Sequence, residues 1–405
     1  MALDSKVRDA LKDYFSKDYD NSLAYKDRPA LALIKKDEKF AGDSFVVPLA
    51  ITASQGRSAT FASAQSAQSA GRVKKFRVPT VQNFQNAYIN DEDILASKNK
   101  GEGAFFDLLT QNMETAQDNL MRDLNIDLYR DASGARGQVA SLSGQTFKPK
   151  NLNDLVNFEQ DMVLVASDTT TGALRSGTAT ITNIQPDGTI TYSGTITSFA
   201  NNDYLFVKGD AADNGGTPLK MYGFASYGPS SISTSDSFCG TNRSVDARRM
   251  AMQYIDFTSE GLLSPQDTIS KMAFKAFQIG GGRPDTLLCN SSFMQSLLND
   301  LGSKIVYCDV KSDDVANVLF KGVRVVTPHG TIEVMEDRDC PSTDLVLLQR
   351  ADWTIFSRGT IAGLNDIDGL EFLRAATAPA EEIRFNFYGN LVSKAPGRSC
   401  RAKIA

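Results

Sequence analysis

The sequence predicts an α+β fold, and three observations carry that expectation. A long amphipathic run, roughly Gly103 to Asp131, reads as one helix. Two extended runs, Ser44–Ile51 and Val73–Ile89, flank a polar tract of small residues. A Thr/Ser/Gly-rich block with alternating apolar residues, 156–223, reads as several short strands between mixed α/β stretches.

Residues 1–39 open with an amphipathic helix, since Val7, Ala10, Leu11, Tyr14 and Phe15 fall at helical spacing. Arg28-Pro29 is expected to end any helix there, because proline disfavours helical geometry in the residue before it. The hairpin of 44–51 and 73–89 closes through Thr52–Gly71, a tract expected to be extended, flat and polar. An isolated hairpin is marginal in water, so such an arm makes sense lying on another molecule. In the long helix Phe105, Leu109, Met113, Ala116, Leu120, Leu124 and Leu128 form one apolar stripe, with charged and amide residues opposite. Its 29 residues span roughly 43 Å. The stripe reads as core against a sheet.

Within 156–223 the expected strands are Met162–Ala166, Ala179–Ile184, Thr189–Ile196 and Tyr204–Lys208, with a turn at Pro186-Asp187-Gly188. They read as a small inserted barrel or sandwich that folds alone. Asp246–Thr258 and Ser264–Phe277 read as helical, Gly280–Gly282 as a linker, and Thr286–Cys289 as a buried strand. Ser291 or Ser292 is expected to cap a helix through Leu301. Val323–Val326 and Ile332–Met335 are strands joined through Pro328-His329-Gly330. The remaining expected strands are Leu345–Leu348, Trp353–Phe356, Leu370–Leu373, Ile383–Tyr388 and Leu391–Lys394.

The chain has 405 residues and a net charge of −5, with acids and bases interspersed, which argues against a sequence-independent nucleic-acid binder. No apolar run reaches the ~20 residues of a membrane helix, and the N-terminus lacks the apolar core of a signal peptide. Five dispersed cysteines without a C-x-x-C pair fit free thiols in a reducing compartment.

Catalytic material is scarce. The single histidine, His329, sits in a turn, and there is no G-x-S-x-G elbow and no phosphate-binding G-x-x-x-x-G-K-[ST] loop. Cysteines and histidine offer no local metal-ligand pair. The carboxylates Asp309, Asp313 and Asp314, and Glu336, Asp337 and Asp339, read as solvated acidic loops, since they lack the order of a calcium loop. No catalytic, cofactor-binding or metal residue is expected, and no cofactor. The residues placed to touch a neighbour are those of the arm: Arg57, Phe61, Lys74, Lys75 and Arg77.

The order of elements resembles the major capsid proteins of tailed bacteriophages with the Hong Kong 97-type fold. Asp43–Leu49 resembles the outgoing strand of that family's extended loop. Lys75–Val78 through Asn90-Asp91-Glu92 resembles its return into the spine helix, and Leu128–Asp131 with Ser133-Gly134 the exit from it. Arg283–Cys289, Gly322–Val326 and Asn390–Pro396 follow in order. The resemblance implies an N-terminal arm (1–40), an extended loop (41–89) and a peripheral domain (90–155) with spine helix 103–131. After the insertion 156–223 it implies an axial domain (224–330) and a strand-rich return (331–405). It implies a non-enzymatic shell subunit in pentamers and hexamers, enclosing DNA without sequence-specific binding and without a membrane. A separate scaffolding protein, a portal and decoration proteins are the implied partners. The implied location is the virion, with assembly in the bacterial host cytoplasm. An encapsulin-like nanocompartment shell, a carbohydrate-binding or adhesive β-protein and an unrecognised hydrolase are the alternative readings.

Overall fold

In the computed structural model, the residues described are 28–90, 102–212, 217–258, 263–301, 307–311, 319–365, 373–374 and 379–404. The amphipathic segment at Val7–Phe15 lies outside them. So do Asp313, Asp314 and residues 370–372.

Two sheets and a barrel organise the chain. The first sheet is built on the 14-residue strand Ala380–Ser393. On one side this strand pairs along its length with Val81–Asn90, from Ala380↔Asn90 to Gly389↔Val81. On the other it pairs with Trp353–Ser357, which in turn holds Lys35–Asp37 in parallel. Val81–Asn90 therefore belongs to this sheet and not to the projecting arm. Two separate strands were expected from Ile383 to Lys394; one continuous strand forms because Asn390 is fully buried and satisfied. Its Oδ1 accepts from the Tyr222 amide at 2.8 Å, and its Nδ2 donates to the Pro79 carbonyl at 2.9 Å.

The second sheet has seven strands in the order Gln253–Asp256, Cys400–Lys403, Asp344–Leu348, Thr286–Cys289, Gly330–Glu336, Leu319–Thr327, Tyr307–Lys311. The helix Pro265–Gly280 covers it with Ile269, Met272, Ala273 and Ala276 inward. Ser264 caps that helix by accepting from Asp267 N at 3.2 Å. The expected helix Asp246–Thr258 is instead one turn, Ala247–Met250, followed by a sheet strand. The helix Ser291–Leu301 is capped by Asn290, whose Oδ1 accepts from Ser292 N, and not by either serine. Gly280–Gly282 is a close contact, not a linker. Gly281 takes the left-handed φ of 68° at the helix C-cap, and a Cβ at Gly280 would stand 1.8 Å from the Gly397 carbonyl oxygen.

The long helix runs Glu102–Tyr129, 28 residues. Of its stripe, Met113, Ala116, Leu120, Leu124 and Leu128 are buried; side chains before Met113 are outside the description. On the opposite face Glu114, Asp118, Arg122 and Asp123 remain at least partly exposed, while the polar Gln117, Asn125 and Asp127 are buried together with the stripe. The helix is wrapped on several sides in its second half. The helix expected to stop at Arg28-Pro29 lies outside the described residues; from Pro29 a short helix, Pro29–Leu33, packs in the core with proline at its first turn, where no amide hydrogen is needed.

The β-rich insertion closes into a six-stranded barrel, in the order Tyr204–Val207, Ala135–Ser143, Thr146–Pro149, Ile190–Ile196, Gly177–Ile184, Val163–Ser167. It thus begins 21 residues before the expected boundary at 156. Phe147 from the early part is buried among Phe158, Tyr192 and Phe199, at ring distances of 6.0–6.2 Å. Buried ion pairs tie the barrel to the long helix. Arg136 Nη2 lies 2.8 Å from Asp123 Oδ1, and Lys220 Nζ lies 3.1 Å from Asp210 Oδ2 at the barrel's end and 3.9 Å from Asp127 Oδ2 on the helix.

Candidate assembly interface

The arm is an antiparallel hairpin of Ser44–Thr52 and Arg72–Pro79. Its alternation splits the two faces. Val47, Leu49, Ile51, Phe76 and Val78 are buried in the main core, a stabilisation of about 1.5–3 kcal/mol each. Phe76 meets Phe238 edge to face at 5.8 Å, and Phe45 stacks on Phe356 at 5.1 Å. Backbone contacts fix the same base. Arg77 N donates to Cys239 O and Thr241 Oγ1 to Lys75 O, both at 2.9 Å, while Arg249 Nη1 donates to Ile51 O. The base is therefore a rigid part of its own subunit, where the sequence suggested strands projecting from the core throughout.

Beyond the base the situation reverses. From Thr52 to Lys75 no residue is buried. Gln55 and Ser69 exchange backbone hydrogen bonds of 3.0 and 3.2 Å, which closes the tip. Within it Phe61–Ser66 forms a short helix that buries none of its residues. A flat extended tip was expected; the alanine-rich run Phe61-Ala62-Ser63-Ala64-Gln65 was the signal for helix, since alanine is the strongest helix former. Phe61 stands 82% exposed. Arg57, Lys74, Lys75 and Arg77 are exposed as well. All five expected contact residues thus lie on the exposed part of one hairpin, with Lys75 and Arg77 on its outer face opposite Pro48 and Val46.

The chemistry-bearing residues elsewhere are structural. The His329 ring stacks on Phe277 with centroids 4.1 Å apart and meets Phe274 edge-on at 4.7 Å. Among the described residues no group of three or more His, Cys, Asp or Glu side chains is set to hold a metal. Asp337 and Asp339, read as solvated, are buried. Asp337 accepts from Tyr129 Oη at 2.8 Å and from Asn125 Nδ2 at 3.1 Å, and Asp339 from Asn125 Nδ2 at 2.8 Å. Sequence reasoning missed this site because its partners lie more than 200 positions away. No helix among the described residues is long and apolar enough to cross a membrane.

No curated protein matches the sequence. Among solved structures the fold is similar to the cyanophage A-1(L) capsid asymmetric unit, with 12% identity, 96% of this chain and 94% of that chain covered, and a TM-score of 0.51. The capsid of an empty GTA particle matches at 12% identity over 100% of both chains, TM-score 0.46. The capsid of Myoviridae phage XM1 matches at 8% identity over 96% of this chain and 94% of that one, TM-score 0.43. The fold is the Hong Kong 97-type α+β capsid fold that the order of elements implied. The family model of the SU10 major capsid protein matches residues 52–357, from the arm through the barrel to the central sheets, and so the chain belongs to the SU10 major capsid protein family.

Proposed function

We propose that this major capsid protein closes its shell through the arm: the tip of each hairpin lies on a neighbouring subunit, with Arg57, Phe61, Lys74, Lys75 and Arg77 at the contact. The observation that carries this is the unburied run Thr52–Lys75 on a base locked into the subunit core. A rigid base sets the direction of the tip, and many copies in a closed shell sum contacts that are individually weak. The shell is the icosahedral head of a tailed phage and encloses double-stranded DNA; the subunit's net charge of −5 suits a container that does not hold its nucleic acid to the wall. A scaffolding protein, a portal and decoration proteins complete the particle, which assembles in the host cytoplasm. The barrel then stands on the exterior or rim.

The test is replacement of Ala53–Ala70 by a short Gly-Ser turn. All side chains of the buried base lie outside that interval, so circular dichroism should report a folded subunit. Sedimentation and negative-stain electron microscopy should find closed particles absent or fragile. Normal, stable shells from the shortened protein would remove the arm from assembly.

A further inference from the structure

Between Ser44 and Pro79 the chain carries five cations, Arg57, Arg72, Lys74, Lys75 and Arg77, and no Asp or Glu. The whole chain has 43 Lys+Arg against 48 Asp+Glu; setting those five aside leaves 38 against 48, a net of −10. Charge is therefore segregated between an acid-free projection and an acidic body. All five cations are exposed, and among the described residues none of them forms an ion pair. Two exposed arginines of the body, by contrast, are paired: Arg358 lies 3.0 Å from Asp43, and Arg384 lies 3.1 Å from Glu382.

The hairpin register arranges the arm charges. On the outer face Val46 stands opposite Arg77 and Pro48 opposite Lys75. Val46 is 43% exposed and Val73, on the same face, 57% exposed. Arg77, Lys75 and Val73 thus follow one another along one strand of this face, beside Val46 and Pro48 on the other, so cations and exposed apolar side chains are intermixed; Lys74, opposite Leu49, leaves from the other face, and Phe61 adds an exposed apolar side chain at the tip.

We propose that the arm is an electrostatic clasp: its cationic, apolar outer face docks on the acidic body of a second copy of this chain, and ionic strength governs whether the shell closes. This rests on the reading that the arm bridges subunits. Complementarity selects the partner. Two arms repel each other and two bodies repel each other, so arm on body is the attractive pairing; this suppresses wrong contacts while admitting the right one. Such a head-to-tail contact propagates from copy to copy, as a closed shell requires. A DNA backbone supplies negative charge but nothing to cover Val46, Val73 and Phe61, which a protein surface does.

Two measurements test the clasp. Shells assembled from equal parts 14N- and 15N-labelled chains are treated with a carbodiimide, which joins amines to carboxylates in direct contact, and digested for mass spectrometry. Lys74 or Lys75 should be joined to Asp or Glu in mixed-isotope pairs; links confined to single chains would overturn the proposal. In parallel, the five cations are changed to Gln, with folding checked by circular dichroism. At about 0.1 M NaCl the subunit concentration needed for shells should rise about tenfold or more, and raising NaCl to about 0.5 M should weaken the unaltered protein similarly. Lys74→Arg with Lys75→Arg should assemble normally. A Gln arm that assembles like the unaltered protein overturns the clasp, and does so in favour of nucleic acid if that variant also loses binding to a labelled 20-base-pair duplex, a probe length of about two helical turns. The shortened-arm protein separates the two readings. If it forms shells, the bridging role fails; if it does not but the Gln arm does, only the electrostatic clasp fails.

Discussion

Tyr129 donates its hydroxyl to Asp337 Oδ2 at 2.8 Å, joining the last turn of the spine helix to a loop 208 positions later in the chain. The same carboxylate receives the Ala30 amide at 3.4 Å. Three distant segments, 28–34, 102–129 and 337–340, therefore meet on one buried acid. Asn125 Nδ2 bridges Asp337 to Asp339 within the same site.

That site makes stability depend on pH. Burial, with Asp339 nearby, pushes the Asp337 carboxyl up from 3.8 to about 6, against hydrogen bonds from Asp339, Tyr129 and Ala30 that pull it down. Between those two values the native chain holds a proton that the unfolded chain has lost. The stabilisation is thus fully present below 3.8 and is lost as the pH rises through about 6. Asp127 acts in the same direction: burial raises it to about 6 despite Lys220 and Arg136. Denaturation of the subunit across this window should show a pH slope that Asp337→Asn reduces and does not abolish, because Asp127 remains. An unchanged slope would show that Asp337 does not titrate there.

Lys220 is a second buried node. Burial lowers its affinity for a proton, but Asp127, Asp210 and Asp123 outweigh this and raise it. Lys220→Met should leave those carboxylates without their nearest ammonium and destabilise the subunit by about 3 kcal/mol or more. Lys220→Met combined with Asp127→Asn should recover part of the loss. Urea denaturation of the two variants measures both, and a single variant as stable as the parent would count against a structural role.

The thiols should be free and slow to react. Cys239, Cys289, Cys340 and Cys400 are free. Burial pushes Cys239 and Cys400 up to about 12 and also raises Cys289 and Cys340 well above the ordinary thiol value, so little thiolate forms near neutral pH. Alkylation of native protein should be slow, while denaturation without reductant should release all five thiols. Recovery of one to three would mean disulfides.

What was legible in the sequence followed local periodicity. Thr286–Cys289 was read to the residue, and the spine helix within two residues at either end, because each carries its own apolar pattern. Ala135–Ser143 was missed as a strand, since its residues Ala-Arg-Gly-Gln-Val-Ala-Ser-Leu-Ser show little alternation, and only Val139 enters the barrel core as a fully buried apolar residue. Asp337 reads as a solvated acid from sequence because its side-chain donors, Asn125 and Tyr129, come from another element; only the Asp339 amide is close in the chain. The exposure of the arm residues was legible as a group. Polarity without alternation in a tract flanked by strong strands marks residues that bury nothing of their own.

The barrel should fold alone only from its true start. A fragment of residues 156–223 lacks Ala135–Ser143 and Thr146–Pro149, and with them the pairings that join Tyr204–Val207 to Ile190–Ile196 around the far side. It also lacks Val139 and Phe147, both buried in the barrel core. Losing one large aromatic side chain from a core costs about 3–5 kcal/mol, comparable to the whole stability of a small domain. A fragment of residues 135–212 keeps every strand and the aromatic cluster around Phe147. Its Arg136 loses Asp123 but gains water, so no charge is left buried without a partner. The longer fragment should give a β-type circular dichroism spectrum and a cooperative melt, and the shorter one a broad transition or none. Equal cooperativity of the two fragments would show that closure of the barrel contributes little.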